Sequence, residues 1–296
     1  MPFTATDVPD QSGKCIIVTG ANTGIGFEAA RVLAEKGARV LLACRDAGKA
    51  EAAIAQIGKG RDVVHLPLDL ADLDSVRRAA EIAAKEPRID VLLNNAGVMF
   101  PPLTRTAQGF ELQWGVNHLG GFALTSLLLP KLAESPGARV VVTSSLAHQR
   151  GNIQWDDLDA RKRYNRSARY SDSKLANMLH FAELDRRLRA SGSKVLAIGC
   201  HPGIAATELM RHAGVFRVVT PVFGMLLNSA AAGAWPALQA ATAPGAQGGE
   251  YYGPTGMGEA RGPSGKAKRS KAAQDPALAR RLWDVSVAMT VVDPGL

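Results

Sequence analysis

The chain has 296 residues, of which 46% are hydrophobic and 21% are charged, and its net charge is +8. No apolar run reaches the ~20 residues that a membrane helix needs, and the first residues lack the basic and apolar regions of a signal peptide. The three cysteines have neither the spacing of a zinc site nor that of a disulfide framework. We therefore expect a cytoplasmic globular protein without a membrane anchor and without a bound metal.

The positive charge is concentrated in two clusters, at residues 161–169 and 261–271. Both lie in polar, loop-like sequence, and neither is interleaved with aromatic residues at regular spacing. We interpret them as solvated loops and expect no nucleic-acid partner. A basic protein does attract anionic cofactors in general.

Short apolar runs alternate with amphipathic stretches of helical length. The predicted strands are residues 14–19, 39–44, 62–66, 89–93, 139–143, 194–199 and about 249–252, and the predicted helices are 24–36, 46–57, 73–85, 111–132, 168–189 and 276–289. Because these runs are continuously apolar, they are typical of strands buried on both faces. The alternation predicts an α/β fold, a single Rossmann-type doubly wound parallel sheet of about seven strands with helices on both faces.

The chain contains no visible repeat or linker, so we expect one domain over residues 1–296. Residues 1–12 are expected to form a loose N-terminal arm. Residues from about 204 to 245 are apolar and helix-like. Since they follow the sixth strand, they are expected to cover the carboxyl ends of the strands, where sheets of this kind bind their ligands.

A glycine-rich turn joins the first strand to the first helix. Its candidate ligand-binding residues are Gly20, Asn22, Thr23, Gly24, Ile25 and Gly26. The glycines permit close approach of a pyrophosphate to the backbone, and the helix N-terminus supplies free N–H groups. The spacing differs from the commoner Gly-x-Gly-x-x-Gly fingerprint, and a plain turn is the alternative interpretation.

The end of the second strand bears on the choice of cofactor. Binding of NAD is typically marked by an acidic residue about 20 positions past the glycines, but Cys44 stands at the strand end and Arg45 follows it. An arginine can hold a 2′-phosphate, so we favour NADP over NAD. Asp46 would oppose this if it faced the ribose, and we favour a helix N-cap as its role. After the third strand, Asp69 and the adjacent Leu70 are candidates to contact the adenine, and Asp69 could instead cap the next helix.

Tyr170 and Lys174 are four residues apart in a predicted helix, so they share one helix face. An ammonium group beside a phenol stabilises the phenolate, by ~4 kcal/mol at ~4 Å and an effective dielectric of about 20. The spacing therefore predicts a tyrosine with a lowered pKa that transfers protons. A surface helix that happens to carry both residues is the alternative.

These motifs occur together in an order that resembles the short-chain dehydrogenase/reductase family, most closely its retinol-dehydrogenase-like branch. They are Thr19-Gly20-x-x-x-Gly24-Ile25-Gly26, Asn94-Asn95-Ala96-Gly97, Asn117, Ser144-Ser145, Tyr170-x-x-x-Lys174 and Pro202-Gly203 with Thr207. The retinol-dehydrogenase-like branch is suggested by three short segments, Ala-Cys-Arg-Asp, Ser-Ser-Leu-Ala-His and Ser-Lys-Leu-Ala-Asn. Many members of that branch carry an N-terminal membrane anchor, which we do not expect here.

The resemblance implies a catalytic set of four residues. Tyr170 would be the general acid in carbonyl reduction and the base in alcohol oxidation, and it would also contact the cofactor. Lys174 would lower the pKa of Tyr170 and bind the nicotinamide ribose. Ser145, rather than Ser144, would hydrogen-bond the substrate oxygen. Asn117 would hold a water in a proton relay with Lys174.

The resemblance also implies further cofactor contacts. Asn95, Ala96 and Gly97 would lie beside the cofactor after the fourth strand. Pro202 and Gly203 would pass beside the nicotinamide, and Thr207 would bond its carboxamide or the pyrophosphate. The implied activity is an NADP(H)-dependent oxidoreductase for a small apolar carbonyl or alcohol, and the implied assembly is a homodimer or homotetramer. A non-catalytic NADP-binding sensor or scaffold of the same fold is the alternative.

One departure from the family pattern concerns the spacing of Ser145 and Tyr170. They are 25 positions apart, which is wider than is usual in the family. We expect the additional segment, residues 149–169, to loop out beside the active site and to form part of the pocket rim.

Overall fold

The computed structural model describes residues 2–204 and 228–296, which fold around a sheet of eight strands. The strands are β1 (Cys15–Thr19), β2 (Arg39–Cys44), β3 (Val63–Pro67), β4 (Val91–Asn94), β5 (Arg139–Thr143), β6 (Leu196–Cys200), β7 (Tyr251–Gly256) and β8 (Arg261–Lys266). Their order in the sheet is β3-β2-β1-β4-β5-β6-β7-β8. Strands β1 to β7 are parallel and β8 is antiparallel to β7. The predicted α/β fold is confirmed, with one strand more than the seven expected.

Helices cover both faces of this sheet. They are α1 (Gly24–Glu35), α2 (Ala47–Ile57), α3 (Leu73–Ala83), α4 (Leu112–Trp114), α5 (Gly120–Ala133), α6 (Arg166–Ala190), α7 (Ala230–Thr242) and α8 (Pro276–Thr290). One hydrophobic core contains α1, α2 and α7, and the other contains α3, α5, α6 and α8. Within the described ranges, no helix is both long enough and apolar enough to cross a membrane.

The central strands form where the sequence is continuously apolar. All five residues of β1 are buried, as are the last five of β2. A parallel strand with helices on both faces has no solvent-facing side, so both sets of alternating side chains must be apolar. The carboxyl ends of these strands point to one edge of the sheet, and the loops that follow them build the site described below.

The helix expected at 111–132 is a continuous run with a local irregularity. Helices α4 and α5 are joined by a π-helical segment at Gly115–Leu119. The run begins at Glu111, whose buried carboxylate accepts hydrogen bonds from the backbone N–H groups of Gln113 and Trp114. Such π-helical segments are frequent at functional sites, and this one contains Asn117.

The expectation of a loose arm at residues 1–12 is wrong. Phe3 pairs with Ser264 of β8 through two backbone hydrogen bonds of 2.9 and 2.8 Å. The side chains of Phe3 and Val8 are buried in the core on the α1 face. The arm is ordered because β8 presents a sheet edge with free backbone groups for it to bind.

We expected residues from about 204 to 245 to cover the carboxyl edge of the sheet, and this expectation is wrong for the second half of the segment. Residues 230–242 form α7, which packs beside α1 and buries Ala234 and Leu238 in the core of that face. They therefore support the sheet rather than cover its carboxyl edge. Residues 205–227 lie outside the described part of the chain.

Candidate active site

A cavity of about 1040 Å³ lies at the carboxyl edge of the sheet. The predicted site residues that line it are Gly20, Asn22, Thr23, Gly24, Ile25, Gly26, Arg45, Asp69, Leu70, Asn95, Ala96, Gly97, Ser145, Tyr170, Lys174, Pro202 and Gly203. Asn117 lies behind the wall of the cavity, and Thr207 lies outside the described residues. Segments that are far apart in sequence thus meet at one continuous site.

The turn after β1 needs glycine at each of its three glycine positions. Gly20 and Gly24 have left-handed backbones, with φ of 66° and 60°. A Cβ at Gly26 would lie 2.4 Å from the carbonyl oxygen of Gly20 and 2.5 Å from Nδ2 of Asn95. Because α1 begins at Gly24, the free N–H groups and the positive end of the helix dipole stand at the cavity. This is a cradle that fits a pyrophosphate.

Thr19 and Asn95 tie this turn to the loop after β4. The hydroxyl of Thr19 accepts hydrogen bonds of 3.0 Å from the backbone N–H groups of Asn95 and Ala96. The side-chain amide of Asn95 donates to the carbonyl of Thr19 at 2.9 Å. The two cavity-lining loops are therefore held at a fixed separation, and Thr19 has a positioning role that the sequence did not reveal.

The ends of β2 and β3 carry the charged part of the cavity. Arg45 has a side chain that is 76% exposed, and its Nη1 lies 3.5 Å from Oδ2 of Asp69. Asp46 caps α2 by accepting from the N–H of Lys49, which confirms its predicted role. Helix α3 is capped by Asp72, so capping is not the role of Asp69. Lys49 also lines the cavity and was not anticipated from the sequence.

Tyr170 and Lys174 stand one turn apart on α6 and are both buried. The Nζ atom of Lys174 lies 5.7 Å from the centre of the Tyr170 ring and donates to the carbonyl of Thr143 at 3.4 Å. A Cβ at Gly97 would lie 3.4 Å from this Nζ atom, so the loop after β4 passes directly over the lysine. The alternative of a surface helix is therefore wrong.

Burial shifts the two pKa values in opposite directions. It raises the pKa of Tyr170 to about 12, and a hydrogen bond with the Ser145 hydroxyl lowers it only in part. It lowers the pKa of Lys174 to about 8. In both cases the low-dielectric surroundings disfavour the charged form. The expected lowering of the Tyr170 pKa by Lys174 is not found in this structure, where burial is the largest influence on the phenol and raises its pKa.

The two adjacent serines after β5 have different partners. The hydroxyl of Ser144 is buried and donates to the backbone carbonyl of Lys174 at 2.7 Å. Ser145 lines the cavity, its hydroxyl accepts from the N–H of Ala147, and the same hydroxyl acts on the Tyr170 phenol by lowering its pKa. The ring of His148 donates from Nδ1 to the carbonyl of Ser145 at 2.7 Å. Ser145 is therefore the serine that can meet a ligand, and His148 positions it.

Asn117 joins the loop after β4 to α6. Its Oδ1 accepts from the N–H of Val98 at 2.7 Å, and its Nδ2 donates to the carbonyl of Val98 and to the hydroxyl of Ser173, both at 3.0 Å. Ser173 in turn donates to the carbonyl of Tyr170 at 2.8 Å. The contacts of Asn117 thus fix the position of the segment that carries the tyrosine.

The loop after β6 is fixed by a buried histidine. The N–H of Gly203 donates to Nδ1 of His201, so the ring proton sits on Nε2 and is donated to Glu259 at 3.2 Å. Gly203 has a φ of 75°, and a Cβ there would lie 2.2 Å from the carbonyl oxygen of Ala260. His201 therefore positions Pro202 and Gly203 at the cavity wall.

The segment between Ser145 and Tyr170 forms part of the rim, as predicted. It begins with a short 3₁₀ helix at Leu146–Arg150 and continues as a loop to the start of α6. Gln149 and Arg150 line the cavity from this segment.

Comparison with known proteins places this site in a family. The sequence model of a family described as short chain dehydrogenase matches residues 14–215. Human retinol dehydrogenases 12 and 13 are 43% and 45% identical to this chain, over 93% and 94% of its length and 85% and 84% of theirs. A crystal structure of an uncharacterised protein from Mycobacterium paratuberculosis is 40% identical, covers 100% of both chains and has a TM-score of 0.85. The resemblance to the retinol-dehydrogenase-like branch is confirmed. The chain belongs to the short-chain dehydrogenase family and is an oxidoreductase that acts on CH–OH groups.

Proposed function

We propose that this protein interconverts an alcohol and a carbonyl compound with NADP(H) as cofactor and Tyr170 as the proton-transferring group. The observation that carries the proposal is one continuous cavity with two distinct ends. A glycine turn at a helix N-terminus forms one end, and the buried Tyr170 and Lys174 with the half-buried Ser145 form the other. A dinucleotide bound at the first end would present its nicotinamide to the second.

The residues would divide the work as follows. Gly20, Gly24 and Gly26 hold the pyrophosphate, Lys174 holds the nicotinamide ribose, and Ser145 hydrogen-bonds the substrate oxygen. The bound cofactor supplies or accepts the hydride. Tyr170 gives the substrate oxygen its proton in reduction and removes that proton in oxidation.

The protonation state of Tyr170 is the one that a general acid in carbonyl reduction needs. With a pKa of about 12 the phenol is protonated at neutral pH and can donate without prior ionisation. Ser145, whose hydroxyl lowers the pKa of the phenol, would hold the substrate oxygen beside Tyr170. The proton would then pass directly between the phenol and that oxygen.

We propose a preference for NADP because of the positive charge at the nucleotide end of the cavity. Cys44 is neutral where NAD-binding folds of this class present an acidic residue, and Arg45 and Lys49 both line the cavity there. Two cations beside the ribose would bind a 2′-phosphate by charge-assisted hydrogen bonds.

The proposed substrate is a small apolar carbonyl or alcohol. The cavity lining includes an apolar group, of which Phe100 contacts Tyr170, and its members are Val98, Met99, Phe100, Leu112, Val116 and Leu146. We also propose a reducing compartment, the cytoplasm, because all three cysteines are buried and unpaired.

The test of the reaction is the Tyr170→Phe variant. We expect turnover with aldehydes and ketones to fall by about 10²–10⁴, which is the usual contribution of general acid catalysis. The dissociation constant of NADPH should stay within about twofold of wild type, since the phenol oxygen contacts substrate rather than the phosphates. Turnover near the wild-type value would contradict the assignment. Tight NADPH binding with no turnover by wild type on a wide panel would favour the alternative of a non-catalytic sensor.

The test of the cofactor is a titration with NADPH and with NADH. We expect Arg45→Ala to reduce the preference for NADPH about tenfold or more, since charge-assisted hydrogen bonds contribute ~1.5–3 kcal/mol. Arg78→Ala is the matched control, because Arg78 is also exposed and also makes a long ion pair, with Asp72 at 3.6 Å. Equal affinity of the wild type for the two nucleotides would remove the NADP proposal and leave the reaction proposal intact.

A further inference from the structure

We propose that Phe100 is a specificity-determining residue of the substrate cavity, and that Gln113 and Tyr164 are positioning residues that hold it against Tyr170. The inference rests on the proposed function, since it concerns which carbonyl compounds reach the tyrosine. It assigns a role to the long segment between Ser145 and Tyr170, which the mechanism itself does not use.

Phe100 combines an unusual backbone with a contact to the catalytic side chain. Its φ is 58°, in the left-handed region that favours glycine, although its side chain is large. Its ring lies 5.4 Å from the Tyr170 ring, centre to centre, in an edge-to-face arrangement at 77°. Strained residues persist only where their surroundings hold them, and they concentrate at functional sites. Phe100 therefore needs neighbouring residues that hold its backbone in this conformation.

A buried glutamine fixes the backbone of Phe100. The N–H of Phe100 donates to Oε1 of Gln113 at 3.0 Å, and Gln113 has no exposed surface. The other end of the same amide donates to the carbonyl of Arg166 at 3.0 Å and to the hydroxyl of Tyr164 at 3.4 Å. One side chain thus connects the loop after β4 to the beginning of α6, the helix that carries Tyr170.

Tyr164 makes a second attachment to the same loop. Its hydroxyl donates to the carbonyl of Pro101 at 2.7 Å, one residue beyond Phe100. Phe100 is therefore held on both sides, by Gln113 at its own N–H and by Tyr164 at the next carbonyl. Gln113 and Tyr164 both lie outside the loop that carries Phe100. Their hydrogen bonds therefore hold that loop in its observed conformation.

The segment that carries Tyr164 is itself fixed to the catalytic helix. Arg169, immediately before Tyr170, forms an ion pair of 2.9 Å with Asp157, and both side chains are less than 10% exposed, at 7% and 9%. Asp157 also accepts hydrogen bonds from backbone N–H groups of residues 161–163. The segment is thereby closed into a compact loop, so the position of Tyr164 is tied to that of Tyr170.

The consequence is a cavity wall whose position is set by the inserted segment. Because the Phe100 ring stands against the tyrosine, it occupies space that a bulky substituent on the carbonyl carbon would need. Releasing the ring, or removing it, should admit larger substrates without changing the nucleotide end of the cavity.

The experiment compares Phe100→Ala, Gln113→Leu and Tyr164→Phe with wild type, using hexanal as a slender substrate and 2-decalone as a bulky one. The quantity measured is the ratio of kcat/KM for 2-decalone to that for hexanal. We expect Phe100→Ala to raise it about tenfold, the effect of a changed apolar pocket wall. Tyr164→Phe, which loses the hydrogen bond to Pro101 and the longer one from Gln113, should raise it about two- to tenfold. The Kd of NADPH and the Tm of Tyr164→Phe should stay near the wild-type values.

The matched control is Tyr252→Phe, which also removes one phenolic hydroxyl, bonded to Glu250 away from the cavity. It should leave the substrate ratio unchanged. A crystal structure of Tyr164→Phe provides a readout independent of turnover, and we expect the Phe100 ring to be displaced from Tyr170. If Gln113→Leu unfolds, the more conservative Tyr164→Phe still decides the question.

The outcomes separate the two proposals. No turnover of any carbonyl by wild type would contradict the proposed function, while a displaced Phe100 in the crystal structure of Tyr164→Phe would still support the positioning role. An unchanged substrate ratio in Phe100→Ala would overturn the specificity role. An unmoved ring together with an unchanged ratio in Tyr164→Phe would overturn the positioning role of that residue.

Discussion

The lysine at the centre of this site lowers the stability of the fold, because its charged form is buried. Lys174 is fully surrounded by protein, its hydrogen bond to Thr143 is long at 3.4 Å, and burial lowers its pKa from an ordinary value of 10.5 to about 8. At neutral pH the protein must therefore bury a charge that has no carboxylate partner among the described residues. A stability cost of this kind is common at groups that are kept for function, and the proposed role of Lys174 would account for it.

Replacing this lysine should stabilise the protein at neutral pH. A pKa difference between about 8 and 10.5 corresponds to about 3 kcal/mol, so Lys174→Met should raise the free energy of unfolding by up to that amount at pH 7. Between pH 8 and 10.5 the unfolded wild type binds a proton that the folded wild type has released. Wild-type stability therefore rises over that range, and the advantage of the variant should shrink. Urea unfolding at pH 7 and pH 9.5, without nucleotide, measures both effects.

The control for this prediction is Lys59→Met at an exposed position. It should change the free energy of unfolding little at either pH. A Lys174→Met variant that is less stable than wild type at pH 7 would show that the lysine stabilises the fold, contrary to the effect of its burial.

At the scale of elements, the sequence predicts those that have a local periodic signal. Strands β1 and β5 are continuous apolar runs, and both were expected within one residue of where they lie. Strand β8 was missed, because its residues Arg261–Lys266 are glycine-rich and polar and pair only at the sheet edge. Apolar periodicity has no signal for such a strand.

The candidate site also has some features that the sequence predicts and others that it does not. The glycine turn and the tyrosine–lysine spacing are local patterns, so they could be predicted. The role of Gln113 could not, because its partners Phe100 and Arg166 are 13 and 53 positions away. The raised pKa of Tyr170 could not be predicted either, since it depends on burial by many segments that only the fold brings together.

The inserted segment supports a prediction at this scale. Asp157→Asn removes the charge that holds both Arg169 and the backbone N–H groups of residues 161–163. We expect the loop to open more often and trypsin to cleave within residues 161–163 several-fold faster, because cleavage needs an opened chain. The measurement is the cleavage rate under native conditions, with products identified by mass spectrometry.

Asp156→Asn provides the comparison for that experiment. Asp156 is adjacent in sequence and pairs with Lys162, but its side chain is 78% exposed. Exposed pairs contribute little, so this variant should be cleaved at the wild-type rate. Equal acceleration in both variants would mean that charge in the loop, and not the buried pair, controls its opening.

At the scale of the whole molecule, segments near both ends of the sequence complete the fold at two different places. The N-terminal arm adds to β8, which pairs with β7 near the C-terminal part of the chain. The final residue, Leu296, accepts a hydrogen bond from Arg187 of α6 through its carbonyl. Elements that look peripheral in the sequence therefore complete the two cores on either side of the sheet.

The arm should accordingly be required for full stability and not for cofactor binding. A chain that begins at Pro9 lacks Phe3 and Val8, which are 7% and 1% exposed. Burial of each such side chain contributes about 1.5–3 kcal/mol, so we expect the free energy of unfolding to fall by about 3–6 kcal/mol in urea titrations. The Kd of NADPH should stay unchanged, because none of residues 2–8 lines the cavity. Phe3→Ala should reproduce about half of the loss, whereas Thr6→Ala, at an exposed position, should not. A shortened chain as stable as the full one would show that the arm does not hold the sheet edge in solution.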